Sequence, residues 1–113
     1  MSDAADFHEE SEWLRLVASD RGESEYELFV AAWTAWHGSA PAPGQVDADF
    51  GAWLREQGVP AYVRHFVRRW LEANPDLRRR GDEDRRAVQR ARLLALALIA
   101  VAVVVALLVG RQS

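Results

Sequence analysis

The spacing of apolar residues predicts an amphipathic helix near the start of the chain. Trp13, Leu14 and Val17 form an apolar stripe among acidic side chains, so we expect a helix over about residues 6–19. The acidic residues lie mostly in its early turns, where the helix dipole favours negative charge. Gly22 follows shortly afterwards and marks the end of this first helix.

A second helix is marked at both ends. Ser24 followed three residues later by Glu27 has the spacing of a capping box, and Gly38 is a typical helix stop. Between these residues the chain is apolar on nearly every side, so we expect this helix to be the central one. Residues 38–45 are rich in glycine and proline and predict an exposed loop within one domain.

Two shorter helices are predicted after the loop. Asp47 is placed to cap a third helix, which we expect to reach Gly58, and Pro60 suits the first position of a fourth. The fourth helix should end at Asn74, because a residue before proline disfavours the helical conformation. Five of its apolar residues have the spacing of a core-facing stripe, namely Val63, Phe66, Val67, Trp70 and Leu71.

The last part of the chain is a long apolar run. No polar side chain occurs from Leu93 to Gly110, and as a helix this run reaches about 27 Å, close to the hydrocarbon thickness of a bilayer. We therefore expect one transmembrane helix, with Ile99 and Val104 in its middle. Residues 111–113 would form a short tail on the far side.

A basic segment connects the fourth helix to the apolar run. Residues 76–81 are expected to form a hinge, after which Asp82 can cap a long helix that continues into the membrane. The segment's seven arginines are Arg78, Arg79, Arg80, Arg85, Arg86, Arg90 and Arg92. Arg111 is alone beyond the span, so the excess of arginine predicts a cytosolic domain before it. The chain does not start with the pattern of a signal peptide, which agrees with this orientation.

These elements together predict an all-α protein. We expect a small cytosolic bundle of about four helices over residues 1–75, a basic juxtamembrane segment over residues 76–92, and a single C-terminal transmembrane helix over residues 93–110. All fourteen cationic side chains are arginine, a bias that GC-rich coding sequence produces. We therefore expect a bacterial source and a single-pass, tail-anchored location in the inner membrane.

Charge is divided unequally along the chain. The net charge is −3, but residues 1–49 hold eleven acidic side chains and only two arginines. The third and fourth predicted helices resemble a helix-turn-helix, yet a DNA reader usually has a basic domain. Residues 1–75 carry thirteen acidic side chains and six arginines. Repulsion at long range therefore argues against a nucleic-acid partner.

Two features of the membrane part bear on binding. The arginine cluster is expected to fix topology, and it can also contact anionic lipid headgroups at about 1 kcal/mol for each side chain. Ala102, Ala106 and Gly110 are spaced by four, which is typical of surfaces through which transmembrane helices pair. We therefore consider homo-oligomerisation through the span alongside contact with the bilayer.

Candidate contacts for a protein partner lie in the helical domain. We expect Trp33 to be a core residue and Trp36 to lie nearer the surface, where an aromatic side chain can anchor a partner. Arg64, Arg68 and Arg69 share a face of the fourth predicted helix and can dock an acidic partner, nucleic acid or lipid. A solvated helix face is the ordinary explanation of such arginines.

Catalytic and metal-binding patterns are absent from the sequence. Cysteine does not occur, which excludes disulfides, thiolate metal sites and a cysteine nucleophile. His8 and Glu12 are four residues apart, but a zinc site needs three or four ligands and the other histidines lie on other predicted helices. We therefore expect no catalytic residue, no metal and no cofactor.

The pattern predicts a membrane-tethered interaction module, which is an adaptor or an accessory or assembly subunit of an inner-membrane complex. The alternative is a membrane-bound regulator that sequesters a basic soluble protein such as a transcription factor. Membrane-bound anti-sigma regulators have a similar layout, but this chain lacks a His-Cys zinc motif. A small enzyme acting on lipid headgroups would need a polar pocket near the hinge, which the sequence does not reveal.

Overall fold

The structure, a computed structural model, describes residues 3–112. These residues form no β-strand, so the predicted all-α fold is confirmed. Their five helices are α1 (Asp3–Arg21), α2 (Glu25–His37), α3 (Asp47–Leu54), α4 (Ala61–Ala73) and α5 (Pro75–Gln112). The chain divides into two compact units, Met1–Leu77 and Arg78–Ser113.

Helices α1, α2 and α4 pack against one another in the first unit. The prediction of one central helix is therefore wrong, because α4 contacts both other helices as α2 does. The largest fully buried side chains of this core include Leu14, Val17, Leu28, Phe29 and Val63. Helix α3 adds Trp53, whose ring lies 5.7 Å from that of Phe29 between centroids. Trp33, which was expected to be a core residue, packs against the core but is only partly buried.

The ends of α2 follow the sequence prediction. The Ser24 hydroxyl accepts a hydrogen bond from the Glu27 backbone N–H at 3.1 Å, and the Glu27 carboxylate accepts one from the Ser24 backbone N–H at 3.4 Å. This reciprocal pair is the predicted capping box. Gly38 ends the helix with a φ of +80°, a left-handed conformation that glycine adopts without steric cost.

Both predicted ends of α3 are wrong. Val46, which is buried, stands at the N-cap in place of Asp47, and no side chain caps the helix there. Asp47 instead accepts a hydrogen bond from the Tyr26 hydroxyl at 2.6 Å. The helix ends at Leu54 rather than at Gly58, and a turn fills the interval.

Helix α4 carries the predicted core-facing stripe. Val63, Val67 and Leu71 are buried, while Phe66 and Trp70 are partly buried against the core. Pro60 is the residue before the first helical turn rather than its first member. The predicted stop at Asn74 is confirmed, and its side-chain amide donates to the Trp70 carbonyl at 2.8 Å.

The hinge predicted at residues 76–81 is wrong. Helix α5 begins at Pro75, so Asp82 lies inside the helix instead of capping it. Proline suits a first helical position because its missing N–H is not needed there. Acidic and basic residues four apart, as in Asp82 and Arg86, also favour a helix. Leu77 is only 4 % exposed and belongs to the core, so the first unit extends two residues beyond the predicted boundary.

The second unit consists of the rest of α5. This helix is long and apolar enough to cross a membrane. Its side chains from residue 93 to residue 109 are all exposed. An exposed apolar run of this length is typical of a surface that faces lipid or another protein.

Candidate functional site

An apolar groove lies on the first unit between α2 and α4 and encloses about 500 Å³. We call it the α2–α4 groove. Helix α2 contributes Ala32, Ala35 and Trp36. The remaining residues that line it are Arg21, Tyr62, His65, Phe66, Arg69, Trp70 and Ala73. Its volume falls within the range of about 300–1,000 Å³ that is usual for ligand pockets.

Helical spacing explains why these residues share one surface. Ala32, Ala35 and Trp36 are separated by three and four positions, so they lie on one side of α2. Tyr62, Phe66 and Ala73 are separated by four and seven positions, so they share one side of α4. Alanine side chains are short, so they leave room between the larger aromatic rings.

Trp36 is an exposed aromatic residue of the groove. Its side chain is 53 % exposed, and its ring meets that of His65 edge-on with 5.3 Å between centroids. Both residues are outside the hydrophobic core. Trp36 therefore presents apolar surface to solvent from a defined position.

Residues at the C-terminal end of α1 contact the aromatic side chains that line the groove. The Arg21 guanidinium lies over the rings of Phe66 and Trp70, at 4.9 and 4.6 Å from their centroids. It also donates two hydrogen bonds of 2.9 Å to the Glu23 carboxylate. The Trp70 indole N–H donates to the Asp20 carboxylate at 3.0 Å. The charge of Arg21 is thus balanced by a carboxylate, while its planar group covers aromatic surface.

Tyr62 connects the groove to α3. Its hydroxyl donates a hydrogen bond of 2.7 Å to Asp49, and its ring meets Trp33 edge-on at 5.4 Å. Burial raises the pKa of the Tyr62 phenol well above its usual range, and the bond to Asp49 raises it further. The hydrogen bond to Asp47 likewise raises the pKa of Tyr26.

The structure brings together two of the four predicted partner contacts. Trp36 and Arg69 both line the α2–α4 groove. Arg68 is exposed one position earlier on α4 and does not line it. Arg64 lines a second hollow, where its guanidinium lies 3.9 Å from the Glu10 carboxylate. The sequence interpretation placed all three arginines on one face and missed this separation.

The second hollow has a different character. It encloses about 560 Å³ beside the first turns of α1 and the turn before α4. Asp6, Glu10 and Glu56 contribute three carboxylates to its lining, and Arg64 is the one arginine there. The charged side chains of this hollow are therefore predominantly acidic.

No known protein family, curated protein or solved structure matches the chain. Function therefore has to be inferred from its own residues. Within residues 3–112, no group of three or more histidine, aspartate or glutamate side chains is placed to hold a metal ion.

The predicted membrane residues all lie along α5. Leu93, Ile99, Val104 and Gly110 are exposed and follow the apolar run from one end to the other. Ala102 and Ala106 are exposed as well, and with Gly110 they lie on one side of the helix. The seven arginines of the basic segment are also helical, and all but the half-buried Arg85 are exposed.

Proposed function

We propose that this protein is a membrane-tethered interaction module, an adaptor or an accessory or assembly subunit of a bacterial inner-membrane complex. In this proposal α5 spans the bilayer and the first unit lies in the cytosol. The seven arginines before the apolar run support that orientation, since basic residues collect on the cytoplasmic side of a span.

The α2–α4 groove is the observation that carries the proposal. Apolar anchors in pockets dominate the energetics of protein interfaces, and Trp36 stands half exposed at such a pocket. The lining consists mainly of alanine and aromatic side chains, which suit binding rather than catalysis. We therefore assign the groove no catalytic residue and no cofactor.

Membrane attachment gives such a groove a physical advantage. A partner that is itself at the membrane meets an anchored groove at a much higher effective concentration than a free one. Modest affinity then suffices for assembly.

A second function is supported by a different surface. The acidic hollow lined by Asp6, Glu10 and Glu56 suits a basic partner, as expected for a regulator that sequesters a basic soluble protein. The two functions differ in the surface used. They also differ in the charge of the partner.

Co-purification from native membranes tests the first proposal. We expect the full chain, extracted in mild detergent, to retain a stoichiometric protein partner and to lose it on Trp36→Ala. Leu54→Ala is the control, because Leu54 is also an exposed large apolar side chain but lies outside the groove. Absence of a stoichiometric partner would contradict the proposal, and so would equal loss in both variants.

A further inference from the structure

We propose that the α2–α4 groove binds the apolar face of an acidic amphipathic helix in a partner protein. This inference rests on the proposed function and names the chemistry of its partner. Two observations carry it. One is the shape and lining of the groove, and the other is the distribution of charge over the helices of the first unit.

The shape of the groove suits a helix. Its sides come from two helices, and the short side chains of Ala32, Ala35 and Ala73 leave space between them. An amphipathic helix presents an apolar residue every three or four positions and can fill such a groove with one face. Trp36 and Phe66 then supply aromatic surface on opposite helices.

The charge of α4 selects an acidic partner. This helix contains three arginines and one glutamate, so its net charge is positive. Helices α1, α2 and α3 each contain more acidic residues than arginines and are negative. At short range an acidic segment is therefore attracted to the α4 side of the unit, while the net negative charge of the rest of the unit repels it elsewhere.

Arg69 is the cation best placed to meet that segment. It lines the groove, and no hydrogen bond or ion pair engages its guanidinium in the described part of the chain. Arg21 also lines the groove, but Glu23 already occupies two of its donors. The acidic residues of α2, Glu25 and Glu27, lie in its first turn and outside the groove.

Peptide binding to the full chain in phosphatidylcholine nanodiscs tests the inference. The probes are three labelled helical peptides of about 16 residues, long enough for roughly four turns. The first has a leucine face and a glutamate face, and the second has lysine in place of glutamate. The third keeps glutamate but has serine in place of leucine, so it reports binding by charge alone. We expect the first peptide to give the tightest binding by fluorescence anisotropy.

Two arginine variants form a matched pair. Arg69→Glu should weaken the first peptide by at least about fivefold, because it removes one exposed ion pair of about 1 kcal/mol and adds repulsion between like charges. Arg68→Glu makes the same change of charge on the same helix outside the groove, and should have a smaller effect. Trp36→Ala should weaken the first peptide without affecting the third.

The outcomes separate this inference from the proposed function. If the lysine peptide binds more tightly than the first peptide and this binding is lost on Trp36→Ala, the partner is not acidic. The groove would then still be a docking site. Equal binding of the first and third peptides would overturn the inference, because charge alone would then explain both. No binding by any peptide would also overturn it, while co-purification would still decide the proposed function.

Discussion

Tyr62 joins two helices of the first unit through one hydrogen bond. Its phenol donates to Asp49 of α3 from a site in α4 where the ring is largely buried. Ionisation would place a second negative charge beside the Asp49 carboxylate and in a poorly solvated position. The folded state therefore prefers the neutral phenol more strongly than the unfolded state does.

This preference predicts a loss of stability in alkali. The pKa of Tyr62 is raised on folding, so its contribution is complete below the unfolded pKa of about 10 and is lost as pH rises above that value. The free energy of unfolding should fall by up to about 1.4 kcal/mol for each pH unit. Tyr62→Phe should lose less stability than the wild type between about pH 9 and pH 11, followed by tryptophan fluorescence in non-ionic micelles.

The chain is well suited to this measurement. It has no lysine and no cysteine, and Tyr26 is its other tyrosine. Tyr26 is more exposed, so Tyr26→Phe should change the alkaline slope less than Tyr62→Phe. Equal slopes for the wild type and Tyr62→Phe would show that the phenol is not coupled to folding.

Local residue pairs were predictable, whereas distant ones were not. The capping box of Ser24 and Glu27 depends on a spacing of three and was predicted from the sequence. The buried bond from the Trp53 indole N–H to the Ser11 hydroxyl joins residues 42 positions apart. The sequence shows that each side chain carries a group able to form a hydrogen bond. Only the packing of the helices determines that the two groups meet.

Helix α5 has no break where the sequence predicted a hinge. Its residues from 76 to 92 should therefore exchange amide hydrogens at least about tenfold more slowly than an unstructured chain. The measurement is hydrogen–deuterium exchange with mass spectrometry on the full chain in nanodiscs. Hydrogen-bonded amides are protected because exchange requires local opening.

The chain contains its own comparison for that experiment. Ser39 and Ala40 lie in the proline-containing loop, have no helical structure and should exchange rapidly. Equally rapid exchange at residues 76–81 would show that this segment is a flexible hinge and not part of a stable helix.

Element types were predicted better than element ends. The existence and order of the helices followed from apolar spacing and from glycine and proline positions. The errors at the starts of α3 and α5 share one cause. Asp47 and Asp82 were predicted to be N-caps from signals in the local sequence alone, without knowledge of which neighbouring residues are buried. Val46 and Leu77 are buried, and tertiary burial outweighed those signals.

Orientation of the whole molecule should depend on arginines close to the apolar run. Replacing all seven arginines of the basic segment with glutamine leaves Arg111 as the basic residue nearest to the apolar run. We expect a mixed or inverted orientation, because the difference in basic residues sets topology. Reporter fusions to the first unit, active on one side of the membrane only, measure the fraction in each orientation.

Arginines far from the span provide the control for topology. Glutamine at Arg64, Arg68 and Arg69 removes positive charge more than 20 residues before Leu93, beyond the reach of about 15–20 residues over which flanking charge acts. Orientation should not change. A change of similar size in both variants would argue that total charge, rather than position, sets topology.

The α2–α4 groove could be predicted from the sequence only in part. The sequence indicated Trp36 and Arg69 as contacts, since an exposed aromatic and a basic helix face can be recognised locally. It assigned Phe66 and Trp70 entirely to the core, although both also line the groove. The sequence feature that could have indicated a groove is the pair of small residues Ala32 and Ala35, whose short side chains leave space on one side of α2.

The shared position of Tyr62 has a thermodynamic consequence. Tyr62 lines the groove, and its hydroxyl also donates a hydrogen bond to Asp49 of α3. A molecule in the groove that stabilises the observed position of the Tyr62 ring also stabilises the contact between Tyr62 and α3. Because coupling between two equilibria is reciprocal, that contact in turn raises the affinity of the groove for the molecule. A partner that binds the proposed groove of the folded protein should therefore raise its melting temperature, so a thermal shift can serve to search for such a partner.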